Sequence, residues 1–431
     1  MFENVLGQPA VQQLAADLLG GSLPPSILFE GPPSSGKGTA ALELGRALSC
    51  RNSGAPWNCT CSECVKHRQL QHPDLLILGS RTFSAEIAAA SAAYLREPES
   101  AAKMLFSRSV RKLLHRFNTQ LWEGEEARLA KLAPLIIQSN ELLEELGPDQ
   151  VDKDEREKLT AAIVKNAFQL EREGISDTIP IFQIRRATYW ARLAPSGKRK
   201  LLIIENADRM QDAARNALLK ILEEPPETTQ IVLITAKKSA LLPTIRSRLR
   251  PYAFEQRPQE TELDVIRRVF RDRMVNKSGK GPIIQTYLES FLPIPPDQIA
   301  KTAGLFLSFL IHKTQQARSG IQNQHMEALK KLSRSLPDIT NIQDVSIRTF
   351  LALLMKELDN FSMPLLFKDF LKELTGFCTH LLIGYQTGPE LVVLVNAWKD
   401  LIKEADSAVS TYNQSPASSL ERLFISMQEA I

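Results

Sequence analysis

Three groups of residues in this sequence have types and spacings that could carry chemistry. The first is Gly31-Pro32-Pro33-Ser34-Ser35-Gly36-Lys37-Gly38-Thr39, a loop between an apolar run and a helical pattern. Backbone N–H groups of such a loop can curl round a phosphate, the dipole of the next helix adds positive potential, and Lys37 can reach the outer phosphates. The position after this lysine, where a Ser or Thr hydroxyl would ligate Mg²⁺, holds Gly38. Thr39 comes one residue later, turned about 100° round the helix, and substitutes poorly. The second group is Glu205-Asn206-Ala207-Asp208, at the end of the apolar run Leu201-Leu202-Ile203-Ile204. Cleavage of a nucleotide at such a strand end uses an Asp to hold Mg²⁺ and an acidic group to orient water. Glu205 can approach a metal, but Asn206 is neutral and cannot act as a base, and Asp208 reads as a cap for the following helix. The third group, Cys50, Cys59, Cys61 and Cys64, has the spacing C-x8-C-x-C-x2-C. Four thiolates within so short a stretch suit a closed, tetrahedral, structural Zn²⁺ site, with His67 as the replacement ligand should Cys59 not bind.

The elements that must hold these groups follow from periodicity. Ser26–Phe29, Leu75–Leu78, Leu201–Ile204 and Ile231–Ile234 read as short buried strands. Helical patterns separate them (Val11–Leu19 and Thr39–Leu48 among others), which predicts an α/β fold with a parallel sheet. Between about Phe83 and Gly174 the pattern changes to charged amphipathic helices, with a break at Gly147-Pro148-Asp149. This block reads as a helical insertion, solvated and partly packed on itself, rather than as a partner-docking arm. Beyond about Pro258 the chain is helical, interrupted at Pro282, Pro293, Pro295-Pro296 and Pro337.

Composition sets the outer limits. The 431 residues are 43% hydrophobic and 24% charged, with 53 basic against 49 acidic side chains. That is a folded chain of several domains whose net charge is too small to argue for nucleic acid by itself. No apolar run is long enough for a membrane span, and polar residues interrupt the first twenty positions, so a cytoplasmic protein is expected. Cys378, among Phe377, Leu381 and Leu382, reads as a packed core thiol. The basic stretch Arg185, Arg186, Arg192, Lys198, Arg199 and Lys200 suits either phosphate contact or a solvated face, and Tyr189 and Trp190 read as packing residues.

Taken in order, several segments resemble the clamp-loader AAA+ family of bacterial DNA polymerase III, which includes delta-prime and gamma/tau subunits. They are Phe2-Glu3-Asn4-Val5-Leu6-Gly7-Gln8, the cysteine module followed by His72-Pro73-Asp74, the string Asn216–Pro226, Thr235 at the sensor-1 position, and Leu242–Arg248. The matches cover about residues 1–80 and 183–256. Leu249 stands where the family has a Cys, and Leu307, after Ala303-Gly304, stands where motor subunits carry a sensor-2 Arg.

The resemblance implies an AAA+ core over 1–256, with the zinc module at 50–64 and the insertion at 83–174, then a helical lid over 257–318 and a helical collar over 319–431. It implies ATP contacts from Gly31, Ser35, Gly36, Lys37, Gly38, Thr39, Glu205 and Thr235, with ATP held but not hydrolysed. It also implies that Arg248 is an arginine finger offered to a neighbouring subunit's ATP. The departures at Gly38 and Asn206 favour a delta-prime-like subunit working with gamma/tau and delta, the sliding clamp and primed DNA. Two alternatives remain: a gamma/tau-type motor that hydrolyses ATP through Thr39 and Glu205, and an interaction scaffold whose insertion is its working part.

Overall fold

The computed structural model describes residues 1–431 except 53, 148–151, 276–282, 295, 318–328, 330–332, 334–335, 359–362, 385–388, 411 and 413. The chain divides into two compact units, Met1–Leu292 and Pro293–Ile431.

The first unit is built on five strands: β1 (Ser26–Glu30), β2 (Leu75–Gly79), β3 (Lys200–Glu205), β4 (Thr229–Thr235) and β5 (Arg250–Ala253). They lie in the order β2-β3-β4-β1-β5, and every pair is parallel. Continuous apolar runs form such strands because both faces of a parallel sheet are covered. Ile27, Phe29, Leu75, Ile77, Leu201, Ile203, Val232 and Ile234 enter one core, with α1 (Pro9–Leu19) and α2 (Lys37–Ser49). Their alternates Leu28, Leu76, Leu78, Leu202, Ile204, Ile231 and Leu233 enter another. Strand β5 was not expected from the sequence: Arg250-Pro251-Tyr252-Ala253 is short and contains a proline, which only an edge position tolerates. Register sets Glu30 beside Thr235 and Gly79 beside Glu205, so the C-terminal strand ends meet at one edge of the sheet.

Helix α3 (Ser62–Arg68) follows the cysteine loop. The insertion then supplies α4 (Ser84–Arg96), α5 (Ser100–Leu114), a 3₁₀ turn at His115–Phe117, α6 (Thr119–Trp122), α7 (Glu126–Glu145) and α8 (Lys153–Gly174). The expectation of a solvated excursion does not hold. Phe106, Val110, Leu113, Phe117, Trp122, Ile163, Ala167 and Leu170 share one continuous core with Leu78, Leu202 and Ile204 of the sheet. Helix α5 is also stitched to α3. Arg108 donates to the carbonyls of His67 and Arg68, Arg111 to Gln69, and His115 Nε2 to Leu70, so positive and polar groups cap the exposed end of α3. Gly147 follows α7 as expected, while Pro148 and Asp149 lie outside the described residues.

Four more helices complete the α/β core: α9 (Ile181–Arg192), α10 (Asp212–Glu223), the short α11 (Pro243–Arg246) and α12 (Gln259–Val269). Helices α12 and α13 (Ile283–Glu289) pack Leu263, Ile266, Phe270, Ile284 and Tyr287 on Ala89 and Ala93 of α4. The division at Leu292/Pro293 therefore falls inside the span expected as a lid: α12 and α13 belong with the first unit because the insertion gives them an apolar surface.

The second unit is all-helical among the described residues, with α14 (Pro296–Ala317), α15 (Ile347–Leu358), α16 (Met363–Gly384), α17 (Pro389–Ser410) and α18 (Pro416–Glu429). Phe306, Phe309, Phe370 and Phe424 form its centre, Cys378 is buried there, and Trp398 Nε1 donates to the Met427 carbonyl at 3.0 Å. Gly304 packs directly under Pro337, where a Cβ would lie 2.7 Å from the proline ring, and Leu307 is core. The expected interruptions at Pro282 and Pro295 and the 318/319 boundary lie outside the described residues.

Because the insertion roofs the sheet, excising residues 83–174 exposes Leu76, Leu78, Leu202 and Ile204. The expected result is loss of the first unit's cooperative thermal transition. Phe106→Ala alone should cost about 3–5 kcal/mol in the same melt.

Candidate phosphate-binding site and its neighbours

The loop after β1 has the backbone that a phosphate cradle needs. Gly31 and Gly36 have φ of 141° and 95°, and Ser34 is also left-handed at 56°. A Cβ on Gly31 would lie 2.0 Å from the Phe254 carbonyl oxygen, so only glycine fits there. Lys37 is buried and donates from Nζ to the carbonyls of Gly31 (2.7 Å) and Pro32 and to Ser35 Oγ (3.1 Å). Arg257, just beyond β5, reaches across the loop: its Nε donates to the Leu6 carbonyl at 2.8 Å and its Nη1 to the Ser34 carbonyl at 2.7 Å. The N-terminal segment is held beside it by Gln8, which exchanges hydrogen bonds with the backbone of Glu255 at 2.8 and 2.9 Å. Burial, then the neighbouring Arg81 and Arg257 charges, pushes the Lys37 ammonium down to about 8, with Glu205 opposing.

Glu205 does not stand free to hold a metal, contrary to the expectation from sequence. Its carboxylate is 7% exposed and is gripped by two guanidinium groups: Arg81 Nη1 at 2.9 Å, and Arg116 Nη2. Burial works to raise its pKa, but Arg81 and Arg116 prevail and hold the group near 2. Arg81 also bridges to Glu86 at 2.7 Å, and Glu86 takes Lys112 on its other oxygen. Gly38 faces this cluster. A Cβ there would be 3.1 Å from both Arg81 Nη1 and Glu205 Oε1. The space in which a hydroxyl at position 38 and an acidic strand end would share Mg²⁺ thus holds a guanidinium, and the residues present do not fit the ion. Arg81 and Arg116 were not singled out from the sequence. Arg81 follows β2 by two residues, and Arg116 comes from the insertion, whose 3₁₀ turn is fixed by Trp122 Nε1 donating to the Arg116 carbonyl at 2.7 Å. Two further N–H groups of Arg116, Nε and Nη1, are buried without an acceptor among the described residues.

The other strand-end residues are placed as follows. Thr39 is half-buried on α2, and no hydrogen bond of its side chain links it to Glu205. Thr235 donates through Oγ1 to Asp208 Oδ1 at 2.6 Å and accepts from the Lys237 amide. Asp208 is therefore not the helix cap expected of it: it sits in a 3₁₀ turn, and Gln211 is the N-cap of α10. Asn206 occupies the left-handed region at φ 53°, a conformation asparagine tolerates.

The four cysteines do come together. The sulfurs of Cys50, Cys59, Cys61 and Cys64 all lie within 4.8 Å of one another, a donor set and size suited to a tetrahedral metal ion. Arg46 Nη1, the Asn52 amide and Asn52 Nδ2 point at these sulfurs from 3.5, 3.4 and 3.2 Å, as partners of thiolates would. His67 is not in the set. It is buried against His72, with ring centroids 4.0 Å apart, and its Nε2 is 2.9 Å from Ser49 Oγ.

Arg248 lies at the surface, one-third exposed. It donates to the Thr244 carbonyl at 2.7 Å and pairs with Glu223, at the end of α10, at 2.7 Å. The basic stretch divides. Lys200 is buried and donates to the Trp190 carbonyl, Lys198 donates to the Cys50 carbonyl, and Arg199 to Glu227, whereas Arg185 and Arg192 are exposed on α9. Trp190 packs inside as expected, but Tyr189 is 57% exposed.

Comparison with known proteins matches this first unit. A family model described as DNA polymerase III, delta subunit, fits residues 7–258, more than half of the chain. DNA polymerase III subunit delta' of Pseudomonas aeruginosa is 41% identical over 91 residues, 21% of this chain and 28% of that one. The delta' subunit of Escherichia coli (strain K12) is 42% identical over 97 residues, 22% of this chain and 28% of its own. The gamma/tau subunit of Mycobacterium tuberculosis (strain ATCC 25618 / H37Rv) is 33% identical over 96 residues, 22% of this chain and 16% of its own. The chain thus spans less than a third of the length of these curated relatives.

The Glu205 clamp makes a pH prediction. Its folded pKa, about 2, lies below the ordinary 4.5, so the clamp's contribution is complete above about pH 4.5 and is lost as the pH falls toward 2. The shift corresponds to about 3 kcal/mol at most. Denaturant unfolding from neutral pH to about pH 3 should show wild-type stability falling more steeply than that of Glu205→Gln, which starts lower.

Proposed function

This chain belongs to the DNA polymerase III delta-subunit family, a clamp-loader family, and from that premise we propose that it is a delta-prime-like subunit. In this reading it does not hydrolyse ATP itself and lends Arg248 to the ATP site of an adjacent subunit. Its partners are the gamma/tau and delta subunits, and the assembly uses their ATP to open a sliding clamp and close it on primed DNA. The observation that carries this reading is the arginine clamp on Glu205. With Gly38 offering no hydroxyl and Asn206 no base, the described residues round the phosphate loop offer neither a Mg²⁺ position nor a group to activate water. A gamma/tau-type motor would need Glu205 and Thr39 at a shared ion, and Glu205 is already spent on two guanidinium groups.

The setting of Arg248 supports the trans role. Its bond to Glu223 is a partly exposed ion pair, worth about 1 kcal/mol or less, so a neighbour's phosphates compete with it easily. A guanidinium brought to a transferring phosphoryl group spreads two donors over the developing charge. Exposed Arg185 and Arg192 on α9, with Tyr189 between them, supply a face suited to nonspecific contact with the DNA backbone; buried Lys200 does not belong to it. Zn²⁺ held by Cys50, Cys59, Cys61 and Cys64 has a structural role, locking the loop that Arg46 spans by donating to the Ala55 and Pro56 carbonyls.

The isolated chain should release no phosphate from ATP above the rate of a Lys37→Ala control. In the complete assembly, Arg248→Ala should slow hydrolysis about 10³-fold or more at the adjoining site. Unchanged turnover in that assembly rules out the trans role. For the cysteines, metal analysis should find one zinc per chain, and Cys64→Ser should lose the metal together with thermal stability.

A further inference from the structure

The cluster round Gly38 is more than the loss of a metal site. Lys37, Arg81 and Arg257 converge on the phosphate loop, and the two carboxylates paired with Arg81, Glu205 and Glu86, are each shared with a further cation, Arg116 and Lys112. The loop therefore carries an excess of cationic donors over carboxylates, in a backbone whose glycines are bent to receive an anion. The Arg81 side chain is 34% exposed, while Nη1 and Nη2 are anchored on Glu205 and Glu86. Its distance from the Gly38 position puts a fixed positive charge within reach of whatever the loop binds. A divalent ion in such a loop neutralises phosphate charge and orients the group; an anchored guanidinium does both, with no coordination shell to fill.

We propose that Arg81 takes the place of the divalent cation in the Lys37 loop, so that the loop holds a phosphoanion, of the nucleoside diphosphate or pyrophosphate class, without any divalent metal. This rests on the reading above for the absence of cleavage, and it adds what the non-cleaving loop binds and how. The carboxylate of Glu205 then positions Arg81 rather than any ion, and the insertion's Arg116 keeps Glu205 fixed from behind. Glycine at 38 suits the same arrangement, since a Cβ there would stand 3.1 Å from both the guanidinium and the Glu205 carboxylate and one of them would have to shift.

The test is calorimetric titration of the full-length chain with ADP and with inorganic pyrophosphate, in excess magnesium and in EDTA, with phosphate release from ATP followed in parallel. Expected are the same affinities in both buffers to within about threefold. In EDTA, Arg81→Gln should weaken binding about tenfold or more; it melts earlier than wild type but still in one cooperative transition, because Arg116 still pairs with Glu205 and Lys112 with Glu86. Gly38→Ser, which disturbs the guanidinium without removing it, should weaken metal-free binding in the same direction, and serves if Arg81→Gln does not fold. Binding that tightens more than about threefold on adding magnesium overturns the proposal, as does absence of binding in EDTA or an Arg81→Gln chain that binds like wild type. Phosphate release from ATP would instead overturn the non-cleaving role, so the two failures are separable.

Discussion

The first unit turns on one buried carboxylate. Glu205 ends strand β3, at the place where a nucleotide motor would put its metal-holding acid, and it is closed off by Arg81 from the β2 end and Arg116 from the insertion. A lone carboxylate at this depth would be strongly disfavoured, and so would Arg116, two of whose N–H groups already lack acceptors. Each group is tolerable only because the other is present. That mutual dependence ties three separate stretches of chain, residues 79–86, 112–116 and 200–205, into one electrostatic unit. It also extends through Glu86 to Lys112 on α5.

This explains why the helical insertion cannot be regarded as an appendage. Its apolar face continues the sheet's own core, its basic residues cap α3 beside the cysteine cluster, and its 3₁₀ turn delivers Arg116. The cysteine loop is joined to the same body from the other side by Lys198 on the Cys50 carbonyl, and the turn before Lys198 is held to the head of β2 by Asp74 accepting from the Ser196 and Gly197 amides. Rigidity is the consequence: the strand ends, the phosphate loop and the cysteine module are cross-braced by polar contacts that each span dozens of residues of sequence.

What the sequence disclosed and what it hid divide along the range of the interactions. The four buried strands, the left-handed glycine loop and the cysteine cluster were legible because local composition causes them: uninterrupted branched apolar runs, small residues before a helix, thiols at short spacing. The losses at Gly38 and Asn206 were legible for the same reason. Strand β5 was not, since Arg250-Pro251-Tyr252-Ala253 is a strand only through pairing with β1 at the sheet edge. Asp208 looked like a cap from its neighbours, whereas its partner, Thr235, lies 27 positions away on β4. Arg81 and Arg116 had no local signal at all. A basic residue in a charged amphipathic stretch reads as solvated surface, and only the three-dimensional closure of the insertion turns it inward.

The clamp also changes what degeneration means at this site. Loss of a hydroxyl and a base would by itself leave an open, under-coordinated acidic pocket, still able to attract a divalent ion. A guanidinium in that place opposes such binding, because the ion would have to displace a charge-assisted pair whose carboxylate is buried. Arg81 is therefore incompatible with a slow return to metal-dependent chemistry by a single change at Gly38: a hydroxyl at that position would meet the guanidinium before it met an ion. On the proposed non-cleaving reading, a return to cleavage at this loop would need changes at Arg81, Gly38 and Asn206 together. The insertion would also have to give up Arg116's only carboxylate among the described residues, and with it part of what fastens the insertion to the sheet.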